Sequence, residues 1–277
     1  MRDIIEKLAS QQPRVNAGDY MLDGLLYCGN CRTPKQCTVT IFDRVRIVPC
    51  NCRCEAQAYA EEKERQAAHE AMQRIEAART RGIQDKQILQ YRFENDDARD
   101  EKMSGLMHRY VDHWKEMLES NQGMLFCGDV GCGKTFYAGC IANALVEKLV
   151  PVMVTDFPKI LAALQTDDDR VGYIDQLNRY KLLVIDDLGV ERQSDFALEQ
   201  VFAVINARYK AQLPLILTTN LSLEEIKNPK DIRYGRIYDR ILEMCIPIKF
   251  KGNSRRSEIS KAKVEEARRI LLSPAEE

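Results

Sequence analysis

Three short stretches of this chain carry the residue types needed to hold a nucleoside triphosphate. From Gly128 to Thr135 it reads GDVGCGKT, a glycine, four residues, then Gly-Lys-Thr. Gly128, Asp129, Val130, Gly131, Cys132 and Gly133 would turn the backbone tightly and aim several N–H groups at phosphate oxygens. Lys134 would reach the β- and γ-phosphates, the Thr135 hydroxyl would ligate magnesium, and Phe136 would border the nucleotide. Downstream, LLVIDD (182–187) buries four apolar residues and ends in two acids. Asp186 is expected in the magnesium shell, and Asp187 on the attacking water, as base or as orienting group. Glu is common at that second position. The shorter Asp187 therefore predicts slow ATP hydrolysis. PLILTTN ends in Asn220, which can hold the water near the γ-phosphate or simply form a turn.

A different chemistry lies near the N-terminus. Six of the ten cysteines (Cys28, Cys31, Cys37, Cys50, Cys52 and Cys54) fall within 27 residues. CGNC and CRC form two close thiolate pairs that could enclose Zn²⁺ tetrahedrally. Cys28, Cys31, Cys52 and Cys54 are the favoured ligands. Cys50 can replace either later one, because Cys50-Asn-Cys52 offers the same spacing, and Cys37 is read as a spectator. A structural metal also explains how about 50 residues with few large apolar side chains could fold.

Behind these residues stand the elements that must place them. VTIFDRVRIV (39–48) reads as a small hairpin between the cysteine pairs. Residues 55–80 lack Gly and Pro and are rich in Ala, Glu, Arg and Gln, which predicts a solvated connecting helix, with a partner-binding coiled coil as the alternative. An extended stretch from 81 and an amphipathic helix near 97–119 follow. From 123 onward strand and helix alternate: MLFCG, a helix from Lys134 to about Leu149, PVMVT, FPKILAAL as a helix, KLLVIDD, a helix through 194–211, then PLILTTN. This βαβ alternation predicts an α/β fold, a mostly parallel sheet covered on both faces.

Composition narrows the class. Hydrophobic residues at 45% and charged residues at 30% describe a soluble globular chain. A run long enough to span a membrane is missing, as is the apolar core of a secretory signal in MRDIIEKLASQQ. A cytoplasmic location is expected. The net charge of −1 announces no global field for nucleic acid. Only a local run, KFKGNSRR (249–256), offers charge, either for nucleic-acid phosphates or for the nucleotide. Residues 1–54 carry eight basic against five acidic residues, which favours neither DNA nor a protein surface.

GDVGCGKT, VIDDLG, LTTN and RIYDRI, in this order and spacing, resemble the DnaC/DnaI-type bacterial or phage replicative helicase loaders. IstB-type transposition ATPases are the nearest related group. The likeness runs over roughly residues 91–260. It implies a P-loop NTPase core of the AAA+ kind at 91–263, preceded by a zinc module at 1–54 and a helical connector at 55–90, with a tail at 264–277. Carried over, it implies that Arg240 is the arginine finger reaching a neighbouring subunit's γ-phosphate, with Arg236 as its competitor. Arg256 would be the sensor-2 arginine acting in cis, with Arg255 beside it. The guanidinium fork, always charged, suits triphosphate oxygens. The implied activity is ATP-dependent loading of a hexameric replicative helicase onto single-stranded DNA, with self-association through ATP-bridged interfaces. A transposition helper ATPase and a non-hydrolysing ATP-bound adaptor are the alternatives.

Overall fold

The computed structural model describes residues 13–41, 44–97, 99–189, 194–229, 231–252, 254, 263–269 and 271. The chain divides into two compact units, Met1–Gln73 and Arg74–Glu277. The boundary falls inside the long helix α1 (Arg53–Gly82).

The first unit holds two antiparallel hairpins. Strand β1 (Tyr20–Leu22) pairs with β2 (Leu25–Tyr27), and β3 (Gln36–Ile41) pairs with β4 (Arg44–Pro49). The first turn is Asp23-Gly24, with φ of 49° and 79°. Two successive left-handed residues match the right-handed twist of the strands they join. Among the described residues little apolar surface is buried here: Leu26, Cys28 and Cys52 are the buried apolar ones. The Lys35 ammonium is buried among them and pairs with Asp19 and Glu55, each at 2.9 Å. Hydrogen bonds from the Asn16 backbone, Lys35 and the Gly29 backbone hold the Asp19 carboxyl down at about 2.

The second unit is the expected parallel sheet between helices. The strands are β5 (Gly123–Gly128), β6 (Val152–Asp156), β7 (Leu182–Leu188), β8 (Leu215–Thr219) and β9 (Cys245–Phe250), in the order β6-β7-β8-β5-β9. All four pairings are parallel. Alternation along each strand sorts side chains onto two faces. Met124, Phe126, Leu182, Val184 and Ile216 pack with α2 (Glu101–Asp112) and α4 (Lys134–Glu147). Leu125, Leu183, Ile185, Leu215 and Leu217 pack with α5 (Phe157–Thr166), α7 (Asp195–Ala211) and α9 (Ile232–Met244). Short helices α3 (Trp114–Glu119), α6 (Arg170–Leu177) and α8 (Leu223–Lys227) complete the connections.

Several local expectations are revised. The amphipathic helix near 97–119 is two helices, α2 and α3, broken at His113. The stretch from 81 is not extended throughout: it finishes α1 and then makes two 3₁₀ turns, Ile88–Gln90 and Phe93–Asn95. Strand β9 is an addition to the expected strands; it lies at a sheet edge, where its Pro247 is tolerated. The other edge is closed by the end of α1. Gly82 lies so close to β6 that a Cβ there would meet Val152 O at 1.9 Å, and Ile83 bridges to Val154.

Arg208 on α7 is also unlike its sequence appearance. It is fully buried and donates to the carbonyls of Tyr180, Lys181 and Pro214, each at 2.8 Å. Three carbonyls satisfy the fork where β7 and β8 begin, while burial pulls its pKa down to about 9.

Candidate functional site

The phosphate loop runs from the end of β5 to the start of α4. Gly128, Gly131 and Gly133 have φ of 145°, 84° and 99°, conformations that disfavour any side chain. Space is equally restrictive. A Cβ on Gly128 would meet Phe250 O at 2.3 Å, and one on Gly131 would meet Ser254 Oγ at 2.2 Å. The end of β9 and the residues after it therefore back the loop, a contact the sequence did not reveal. Phe250 is buried against Phe126 and Tyr137, so part of KFKGNSRR is structural.

The Lys134 side chain is buried and folded into this loop. Its Nζ donates to Gly128 O at 2.8 Å, Asp129 O at 2.7 Å and Asn220 Oδ1 at 2.9 Å. The loop and the tip of β8 thus meet at the lysine. Cys132 donates its thiol to Asp129 O at 2.8 Å. Val130 is exposed at the loop's tip, and Phe136 packs edge-on against Tyr91. The cradle fits a polyphosphate: a backbone turned at three glycines, a helix N-terminus, and one ammonium held by carbonyls that a phosphate oxygen can replace.

Strand β7 delivers the acids. Thr135 Oγ1 donates to both Asp186 carboxylate oxygens, at 3.0 and 3.2 Å. A hydroxyl and a carboxylate in contact are the hard oxygen donors that suit Mg²⁺. Asp187 sits in the left-handed region, φ 56°, where the β7–β8 register slips between Ile185 and Leu188. Asp tolerates that backbone better than most residues. Its side chain is exposed. Nearby, Lys159 pairs with Asp156 at 2.8 Å, and that hydrogen bond raises its pKa, with Asp85 and Asp186 adding to the effect.

Thr218 is a site residue that sequence reasoning passed over. Its hydroxyl donates to Asp186 Oδ1 and accepts from the Asp187 backbone N–H at 2.9 Å. One buried side chain therefore orients both acids. The signal was present in LTTN, where two hydroxyls end an otherwise apolar strand. Thr218→Val keeps the volume and removes both bonds. A charge-assisted bond is worth ~1.5–3 kcal/mol, so magnesium-dependent ATP turnover should fall by roughly 10- to 100-fold. Unchanged turnover in a folded variant would show that Thr218 does not position the acids.

The arginines separate. On α9, Arg240 stacks over the rings of Phe202 and Tyr209, 4.6 and 5.7 Å from their centroids. Its Nη1 is buried without a hydrogen-bond partner among the described residues. Arg236 is exposed and lines a cavity of about 560 Å³ with Asp195, Leu198, Phe202, Ile232 and Arg233. Arg255 and Arg256 lie outside the described residues.

In the first unit, Cys28, Cys31, Cys52 and Cys54 come together with all four sulfurs within 4.8 Å of one another. Cys54 lies 3.5 Å from Cys28 and 3.4 Å from Cys52. Tetrahedral Zn–S bonds of ~2.3 Å imply S–S edges of about 3.8 Å, so the donor set fits zinc. The Thr33 hydroxyl draws the Cys31 thiol down to about 5, while burial pushes Cys52 up to about 12. Only a cation would favour four thiolates here. Cys50 stands apart, its thiol 3.6 Å from Pro34 O.

Comparison with known proteins agrees with this geometry. Residues 57–263 match the family described as IstB-like ATP binding protein. The chain is 27% identical over 184 residues to the replicative helicase loader DnaI of Bacillus subtilis (strain 168), covering 61% of this chain and 59% of that protein. It is 25% identical over 158 residues to the replicative helicase loader DnaC of Escherichia coli (strain K12), covering 55% and 62%. The chain thus spans less than two thirds of the length of these relatives. Crystal structures of DnaI and of the DnaC helicase loader superpose with a TM-score of 0.52 each, at 23% and 24% identity. They cover 62% and 60% of this chain, and 93% and 100% of their own, a likeness of fold. Among the described residues no helix is long and apolar enough to cross a membrane. With a phosphate loop of this geometry inside a family match over most of its length, the chain belongs to the IstB-like ATP-binding protein family and is homologous to the helicase loaders DnaI and DnaC.

Proposed function

We propose that this protein is a cytoplasmic, ATP-dependent loader that binds a hexameric replicative DNA helicase and helps place it on single-stranded DNA. The observation that carries the reading is the meeting of the phosphate loop with two strand tips, Lys134 to Asn220 and Thr135 to Asp186, on a chain homologous to loaders. Residues 91–263 would be the ATPase, 1–54 the zinc module, and 55–90 their connector, with 264–277 as a tail.

In this reading Lys134 exchanges the carbonyls of Gly128 and Asp129 for β- and γ-phosphate oxygens. Backbone N–H groups of the loop bind the remaining oxygens. Thr135 and Asp186 would hold Mg²⁺, which supplies charge neutralisation on the phosphates. Asn220, released by Lys134, positions a water that Asp187 deprotonates or orients. Arg256 would touch the phosphates in cis and Arg240 a neighbouring subunit's γ-phosphate.

Hydrolysis is tested at Asp187. Asn adopts the same left-handed backbone, so Asp187→Asn removes the charge and keeps the turn. ATP binding should persist while turnover drops by ~100-fold or more. A variant with normal turnover would take Asp187 out of this role. A wild-type chain that binds ATP and never hydrolyses it would favour the adaptor reading.

The loader reading is tested by capture of the replicative helicase with and without ATP. The wild-type chain should retain it. A chain lacking residues 1–73 should keep nucleotide binding and lose the helicase. The cut belongs at Gln73, because Ile75 and Ala78 pack on the second unit's core and Arg79 pairs with Glu147 there. Arg240→Ala should leave ATP affinity of the isolated chain intact and impair ATPase activity only in the assembly. Capture of duplex DNA and a transposase in place of the helicase would overturn the reading.

A further inference from the structure

The four-thiol cluster leaves two of the six clustered cysteines over, and the fold brings those two together. In the β3–β4 ladder Cys37 stands opposite Val48. Just past β4, the Cys50 N–H donates to Lys35 O at 2.8 Å. Cys37 and Cys50 are therefore diagonal neighbours on one face of the hairpin, since residues 48 and 50 share a face. Burial, and after it the neighbouring Cys37, raise the pKa of the Cys50 thiol. Both are only partly buried, whereas the cluster's Cys28 and Cys52 are 4% and 1% exposed. Cys31 and Cys54 of the cluster are partly buried as well, so what sets the pair apart is that its thiols lie outside the set that would hold zinc.

We propose that Cys37 and Cys50 form a redox-active dithiol, oxidised to a Cys37–Cys50 disulfide by a low-molecular-weight disulfide such as glutathione disulfide while the four-thiol cluster stays intact. One thiol attacks the reagent's S–S bond, giving a mixed disulfide and one glutathione thiol. The neighbouring thiol then attacks the protein-side sulfur and expels the second glutathione. The two protein sulfurs lose two electrons and two protons, which appear in the two glutathione thiols. The new bond ties β3 to the end of β4, where the chain turns toward Cys52.

The test uses the full chain. Bound zinc is quantified first, then glutathione disulfide is added, and cysteine linkages are mapped by mass spectrometry without reduction. The expected product has lost two hydrogen atoms, yields a peptide linking Cys37 to Cys50, and keeps its zinc; dithiothreitol reverses it. Cys37→Ser and Cys50→Ser should each abolish that linkage, leave a stable glutathione adduct on the remaining thiol, and hold zinc as the wild type does. The proposal is overturned if the first linkages involve Cys28, Cys31, Cys52 or Cys54, or if zinc leaves in step with oxidation. It also fails if the pair stays reduced, or carries two glutathione adducts instead of a bond. A chain that holds no zinc would count against the metal reading alone, because the Cys37–Cys50 peptide is scored separately.

Discussion

Lys134→Ala should abolish ATP binding at ordinary nucleotide concentrations. The ammonium is the one side-chain cation built into the loop, and it is already desolvated, with 5% exposure. Its three oxygen acceptors, Gly128 O, Asp129 O and Asn220 Oδ1, are neutral. Exchange for phosphate oxygens turns these ion–dipole bonds into ion pairs in the same dry setting, where a hydrogen bond to a charged group is worth ~1.5–3 kcal/mol. Two such bonds amount to at least a 100-fold change in affinity. Truncation also strips Asn220 of its partner, so the strand tip loses its tie to the loop. Isothermal titration with ATP and Mg²⁺ gives the affinity, and thermal unfolding shows whether the second unit remains folded. Affinity within a few-fold of the wild type would mean that the phosphates sit elsewhere, and the mechanism proposed for this site would fall with it.

Removal of zinc should unfold the first unit and spare the second. Among the described residues, the apolar ones buried in the first unit are three, two of them cysteines of the cluster. Such a core cannot offset the conformational entropy of some 40 ordered residues, at ~1–2 kcal/mol each for the backbone alone. Structural zinc contributes ~10–16 kcal/mol of apparent binding energy in small modules, delivered as folding energy. The wild-type chain should carry about one zinc by the four-thiolate argument. After chelation, amide exchange across the β1–β2 and β3–β4 hairpins should rise to that of an open chain. Nucleotide binding and amide protection of the parallel sheet should be unchanged. Hairpins that stay protected in metal-free protein would show that Lys35, Asp19 and Glu55 suffice to hold the module.

Much of the candidate nucleotide site was legible because it is local. GDVGCGKT needs only its own glycines and the helix it starts, and LLVIDD shows its burial in a run of apolar side chains. The alternation of strands and helices likewise follows from short-range pattern, and the parallel sheet between helices matches it. Strand β9 was not legible, because a proline at an edge position looks the same in sequence as a loop. Arg208 was not legible either: a helical arginine reads as solvated until three strand-end carbonyls are seen around it.

The sequence by itself determined which chemistry each unit can perform. Residue type sets it: an ammonium and glycine N–H groups for phosphate, hydroxyl and carboxylate for a hard cation, thiolates for a soft one. Only the tertiary structure decided which residues share a site, because that depends on distances between segments far apart in the chain. Spacing favoured Cys52 and Cys54 but let Cys50 replace either; the fold holds Cys50 at the end of the β3–β4 hairpin and brings Cys52 and Cys54 to the cluster. Arg236 and Arg240 are one helical turn apart, and only packing on Phe202 and Tyr209 distinguishes them. Thr218 became a site residue when the slip between β7 and β8 carried Asp187 over its hydroxyl, a register that no single strand's sequence contains.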